Sequence, residues 1–183
     1  DEWFDFGIIN EDILACQYQE ILSSDDKNAE HYRCRGFLMY LESKEKLTDQ
    51  EIQNIFKLKD DGPDKCDLHL NRIHQLIRSP LLSDKQFFEL SGYREIYELS
   101  IQKIYKRISL LREINADGLT EKVFKRICES DDSQIHRYVL ESDDLKRDYV
   151  LWLSENGSNK AVRNIAKQML KSKRFRQLKV CHR

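Results

Sequence analysis

Two pairs of residues in this chain have the types and spacing to bind a metal: His31-x-x-Cys34 and Cys66-x-x-His69. Residues three apart on a helix share a face, and two Cys with two His can complete a tetrahedral zinc set. A structural reading competes with this one. Cys34 and Cys66 both fall on the apolar stripes of their helices, where free thiols pack as small apolar groups. The expectation is no metal site, with His31, Cys34, Cys66 and His69 as the one outside candidate.

Other chemistry finds less support. Neither G-x-x-x-x-G-K nor G-x-G-x-x-G occurs, so no phosphate-cradling loop is present, and H-E-x-x-H and G-x-S-x-G are also missing. Asp60, Asp61 and Asp64 share one loop but lack the alternation and final ligand of a calcium loop. No Cys comes with a recognisable catalytic frame, and no spacing singles out a carboxylate pair for acid–base work. The expected protein is non-enzymatic, with no catalytic residue and no cofactor.

The remaining candidate is electrostatic. After Glu155 there is no acidic residue, while nine Lys and Arg follow; residues 1–155 hold 22 basic against 32 acidic side chains. On the last expected helix Arg163, Lys167, Lys171 and Arg174 form a cationic ridge opposite Ile165 and Met169, with Lys160, Lys173 and Arg176 flanking it. Such a ridge could meet an acidic protein or line a phosphate backbone, or it could simply be solvated. No helix-turn-helix or zinc-finger spacing accompanies it, so base-specific reading is not expected.

These candidates must be positioned by helices. The chain of 183 residues has only 2 Pro and 6 Gly, is 40% hydrophobic and 34% charged, and suits one all-α domain of nine or ten helices. The polar loop Asp60-Asp61-Gly62-Pro63-Asp64 offers a subdomain break near residues 60–65. No apolar run approaches the roughly 18 residues of a membrane span. The acidic opening DEWFDFGIINED does not read as a leader, and five scattered cysteines do not read as a disulfide framework. Together these predict a cytoplasmic protein that does not engage a membrane.

Caps mark the helices. Asn10 opens a helix with Ile13, Leu14, Tyr18, Ile21 and Leu22 at helical spacing, and a second begins near Asn28. Thr48 with Glu51, and Ser83 with Gln86, are capping boxes. Between them a helix carries Cys66, Leu70, Ile73 and Ile77 and stops at Pro80. The longest helix is expected from Tyr93 to Ile114, its stripe Tyr97, Ile101, Ile104, Tyr105, Ile108 and Leu111, with Arg94, Glu98, Lys103, Lys106 and Arg107 solvated. Thr120, Asp131 or Asp132, Asp143 or Asp144, and Asn159 are further candidate caps, and Gly157 a candidate C′ glycine.

The last third repeats itself. Phe124 and Ile127, then Glu129-Ser130-Asp131-Asp132, then Ile135-His136-Arg137 match Val150 and Leu153, then Asn156-Gly157-Ser158-Asn159, then Val162-Arg163-Asn164. The first helices match at an offset of 26 and the second at 27, as the numbering of these residues gives. The segment ENGSNKAVRNIAKQML resembles the second half of a HEAT-type unit or of the related variant leucine-rich repeat. In both, a short acidic or Asn-rich turn precedes a helix beginning Val-Arg. The resemblance covers residues 119–175, as two helical pairs, with His136 where the family has Arg. It implies an irregular α-solenoid whose pairs bury their faces by stacking, and a protein-binding scaffold with no chemistry of its own; the alternative is a compact bundle. Residues 28–58 resemble a tetratricopeptide unit at Gly36, Tyr40 and Leu41, but that period does not continue. The function expected is protein–protein interaction, with nucleic-acid binding through the C-terminal ridge as the alternative.

Overall fold

The computed structural model describes residues 2–26, 28–58 and 65–175. Among these the chain is all-α, with eleven α-helices and no strand. They are α1 (Glu2–Asp5), α2 (Glu11–Ser23), α3 (Ala29–Glu42), α4 (Asp49–Lys57), α5 (Lys65–Arg78), α6 (Asp84–Glu89), α7 (Leu99–Asp117), α8 (Glu121–Cys128), α9 (Ser133–Leu140), α10 (Arg147–Asn156) and α11 (Lys160–Lys171). Two 3₁₀ turns, Leu90–Gly92 and Arg94–Tyr97, separate α6 from α7. The expected break near 60–65 falls mostly outside the described residues. Contacts divide the chain into two compact units, Asp1–Tyr105 and Lys106–Arg183.

Caps that depend on a few neighbouring residues form as their sequences dictate. Asn10 accepts from the Ile13 N–H, Thr120 from Val123 and Asn159 from Val162, each satisfying a donor that the first turn leaves open. Both capping boxes close. In the first, Glu51 also receives the Lys44 ammonium at 2.7 Å and the Tyr40 hydroxyl at 3.3 Å. Burial raises the Glu51 carboxyl, but Lys44 and the Thr48 N–H and hydroxyl outweigh it and hold the group at about 2, against an ordinary 4.5. The same contact with Glu51, added to burial, pushes the Tyr40 phenol well above its usual range. A carboxyl depressed in the fold stabilises it above its unfolded pKa and loses that contribution as pH falls toward its folded value. Glu51→Gln is therefore expected to cost about 1–2 kcal/mol at neutral pH, a gap that narrows from about pH 5 to about pH 2 in urea denaturation.

Other boundaries differ from the sequence reading. The longest helix begins at Leu99, because Leu90–Tyr97 winds as the two 3₁₀ turns; Tyr97 lies outside the helix and is exposed. Arg107 is not solvated: its Nε lies 2.6 Å from the Asp132 carboxylate. Neither Asp143 nor Asp144 caps α10, whose N-cap is Lys146 with no side-chain bond. Gly157 has φ −53° and is not a left-handed C′ residue. A Cβ there would stand 2.6 Å from both the Leu153 carbonyl oxygen and a Val162 methyl, so close approach is what requires glycine. Gly118, φ 73°, directly after α7, is left-handed, as is Gly7 at φ 67°.

In the first unit α2 packs on α3, while α3 and α4 pack on α5. Trp3, Ile8, Phe37, Ile55, Ile73, Leu76, Phe87 and Ile101 are among its buried side chains. Phe56 stacks on Tyr93 and Phe87 on Tyr105, with ring centroids 3.8 and 4.9 Å apart. Gln86 ties α6 to the start of α4 by donating to the Leu47 carbonyl and the Asp49 carboxylate.

In the second unit α11 packs on α10 and on α9. Val123, Phe124 and Ile127 of α8 are buried, as are Tyr149, Val150 and Leu153 at the equivalent positions of α10. Ile135 and Val139 of α9 correspond in the same way to Val162 and Ala166 of α11. One cluster contains all of these side chains, and Phe124 stacks on Tyr149 at 3.8 Å.

Candidate interaction surfaces

Several side chains able to do chemistry are paired within the fold. His31 Nδ1 lies 2.6 Å from the Asp26 carboxylate at an exposed site. His69 accepts from Arg72 at Nδ1 (3.0 Å), which leaves Nε2 to donate to Glu95 (3.3 Å). Both nitrogens of His69 are thus engaged within the protein. Burial raises the Glu95 carboxyl, but its own backbone N–H, His69 and Arg94 outweigh that and hold it below the ordinary range. Arg72 is buried, donates to the Leu58 carbonyl and lies 5.3 Å over the Trp3 ring.

The four zinc candidates are thus not brought together as a described site. His31 and His69 face other partners, and the Cys66 side chain lies outside the described residues. Among the described residues no group of three or more His, Cys, Asp or Glu is placed to hold a metal ion. Burial pushes the Cys128 thiol up, away from the reactive thiolate. Sequence reading missed the Glu95–His69–Arg72 chain: His69 and Arg72 share a face of α5, but Glu95 lies on a separate 3₁₀ turn.

His136 is the most deeply placed of the described imidazoles, 1% exposed. Its Nε2–H donates to the Ile127 carbonyl and its Nδ1 accepts from the Ser158 N–H, both at 3.1 Å. These bonds orient the ring, which meets Trp152 edge-on at 6.1 Å. The residue links the end of α8 to the turn between α10 and α11.

The basic ridge is divided by its surroundings. Lys160, Lys167, Lys171, Lys173 and Arg174 are exposed, whereas Arg163 is half-buried and donates to the Gly157 carbonyl at 2.6 Å. Arg174 donates to the Asp143 carbonyl and lies 4.9 Å over the Phe175 ring. Arg176 lies outside the described residues. Ile165, read above as inward, is 37% exposed, and the buried face is Val162 and Ala166.

The ridge occupies distinctive positions. Arg163 and Lys167 of α11 stand where α9 has the buried His136 and Leu140. A helix pair stacked on α11 as α11 is stacked on α9 would have to bury both charges.

Helical spacing of the α2 apolar residues left open which of them face inward. Of its apolar residues only Ile13 is buried; Leu14, Tyr18, Ile21 and Leu22 are 46%, 59%, 38% and 63% exposed. The rotation of the helix explains this. Gln17 is buried and donates from Nε2 to the Tyr32 carbonyl at 2.7 Å. It reaches that carbonyl over Gly36, where even a Cβ would stand 2.1 Å from the Gln17 amide nitrogen. Ile13 and Gln17 point inward together, so Leu14, Tyr18, Ile21 and Leu22, on the adjacent side of the wheel, point out.

Two concavities lie elsewhere in the first unit. An open, mostly apolar groove of about 360 Å³ runs beside α3 and the end of α5, lined by Leu38, Leu41, Arg78 and Leu81 among others. A cleft of about 130 Å³ lies at Asp49, Gln53, Gln86 and Tyr93. The cleft also takes in Glu89, and burial together with Glu95, Asp49 and Glu89 raises the Tyr93 phenol above its ordinary range. No helix of the described residues is long and apolar enough to cross a membrane. Compared with known proteins, the chain matches no family model, no curated protein and no solved structure.

Proposed function

We propose that the chain is a non-enzymatic, helical protein-interaction module whose docking element is the outward face of α2. The single observation that carries this reading is the exposure of Leu14, Tyr18, Ile21 and Leu22 together on one helix. Isolated exposed apolar residues are ordinary, but a contiguous face with a Tyr at its centre has the composition of an interface core. The internal engagement of His69 and His136 supports a role without catalysis. The matched burial of α8 with α10 and of α9 with α11 supports HEAT-like stacking as the scaffold of the second unit. The cytoplasm suits such a protein, since Cys16, Cys34 and Cys128 are free thiols.

The test is ligand selection from a displayed library of helical peptides. Binders are expected on the native chain and lost on the triple variant Leu14→Gln, Tyr18→Gln, Leu22→Gln. The variant should keep its thermal midpoint, because all three side chains already meet water. Recovery of no binder, or of binders indifferent to the triple change, would overturn the reading.

Nucleic-acid binding is the second reading, favoured by exposed Lys160, Lys167 and Lys173, which form no ion pair among the described residues. A low-salt mobility shift abolished by Lys160→Glu, Lys167→Glu and Lys173→Glu would place it first. The proposal above predicts no shift at about 0.1 M salt, where charge contacts are already weakened.

A further inference from the structure

We infer that the α2 face receives a helical segment whose apolar stripe is flanked by Lys and Arg. This rests on the reading of α2 as the docking element and names its partner's chemistry. Three observations select that occupant.

The charges of α2 itself are Glu11, Asp12 and Glu20, with no Lys or Arg. Glu11 precedes Leu14, Tyr18 and Leu22 by three, seven and eleven positions, so it stands at the N-terminal end of the same face. Asp25, exposed, follows just beyond the C-terminal end. Of the helix acids only Glu20 has an ion-pair partner among the described residues, Arg35 at 3.0 Å; Glu11 and Asp12 have none. An apolar stripe with unpaired carboxylate at both ends complements a stripe bordered by cations and repels one bordered by carboxylates.

A second copy fits poorly. Two such faces laid together bring acidic ends against acidic ends in either direction or leave them stacked side by side. The four side chains also expose roughly 400 Å², about half of the roughly 800 Å² that each partner buries in a stable complex. An area of that size suits one helix docked transiently on another.

The structure also holds the face ready. The Gln17 bond to the Tyr32 carbonyl and the close approach at Gly36 fix the rotation of α2. Binding therefore needs no rearrangement of this helix, which lowers the cost of association.

The experiment uses the full chain and three labelled peptides of about 20 residues read by fluorescence anisotropy. One carries a Leu stripe at helical spacing flanked by Lys, one the same stripe flanked by Glu, and one is a scramble of the first. The Lys-flanked peptide is expected to bind at least tenfold more tightly than either of the others. Leu14→Gln, Tyr18→Gln, Leu22→Gln should weaken it at least tenfold with an unchanged thermal midpoint. Glu11→Gln with Asp12→Asn should weaken it about threefold and tighten the Glu-flanked peptide, whose repulsion it relieves. Equal binding of the Lys- and Glu-flanked peptides overturns the inference while leaving α2 as a docking element. A scramble that binds as well as the stripe reduces the contact to net charge and also overturns it. So does an α2-dependent dimer in sedimentation, which makes a second copy the occupant. If no peptide binds while library selection still yields α2-dependent ligands, the inference falls alone; if selection fails too, both fall.

Discussion

Replacing His136 with Ala is expected to destabilise the second unit by about 3 kcal/mol, the larger of the effects foreseen here. The substitution removes a buried ring and, with it, the partners of two backbone groups: the Ile127 carbonyl and the Ser158 N–H. Each buried group left without a partner costs about 1–3 kcal/mol, and the lost contact with Trp152 adds to that. His136→Phe separates the contributions, since it retains the ring and its edge contact but supplies neither donor nor acceptor. Urea denaturation followed by Trp152 fluorescence should show His136→Ala less stable than His136→Phe, and both below the native chain. Stability of His136→Ala within about 0.5 kcal/mol of native would mean that water restores both bonds.

Asp132→Ala is expected to cost about 2–3 kcal/mol. One carboxylate here does two jobs. It caps α9 by accepting from the Gln134 and Ile135 N–H groups, and it neutralises Arg107, whose side chain is only 18% exposed. Burial raises this carboxyl, but Arg107 and the cap hydrogen bonds outweigh it and hold it below its ordinary range. Its stabilisation is therefore present above the unfolded aspartate pKa and is lost as pH falls through the lower folded value. Asp132→Asn retains the cap oxygen and should recover part of the loss, while the uncompensated Arg107 retains the rest. The check is the difference in unfolding free energy between native and variant, which should shrink on acidification. A difference that stays constant from neutral to acid pH would show that the charge on Asp132 contributes little.

What the sequence made legible was local. Asn10, Thr48, Ser83, Thr120 and Asn159 announced their helices because a cap needs only its own side chain and a donor three residues on. The matched burial of α8 with α10 and of α9 with α11 was legible for a related reason: the two offsets register in apolar spacing. Asp143 and Asp144 had the right residue type, but α10 starts beyond them at Arg147.

The surfaces were not legible, because the outward direction of a helix depends on what it packs against. Ile13, Leu14, Tyr18, Ile21 and Leu22 look like a core stripe until Gln17, a polar residue, takes the buried place over Gly36. Gly36 and Tyr32 are on α3, and no pattern within α2 points to them. The basic ridge was legible as a ridge, yet the half-burial of Arg163 and its bond to the Gly157 carbonyl were not. Arg107 likewise looked solvated along α7 and is paired because Asp132 lies beside it.

The central claim is that α2 is the face this protein presents to its partner. Amide shift mapping of the isotope-labelled chain, titrated with a helical ligand from the library selection, tests it most directly. Shifts concentrated in residues 11–25, with α11 unmoved, are the predicted result. Shifts concentrated in residues 160–174 and absent from α2 would contradict it and move the interface to the basic ridge.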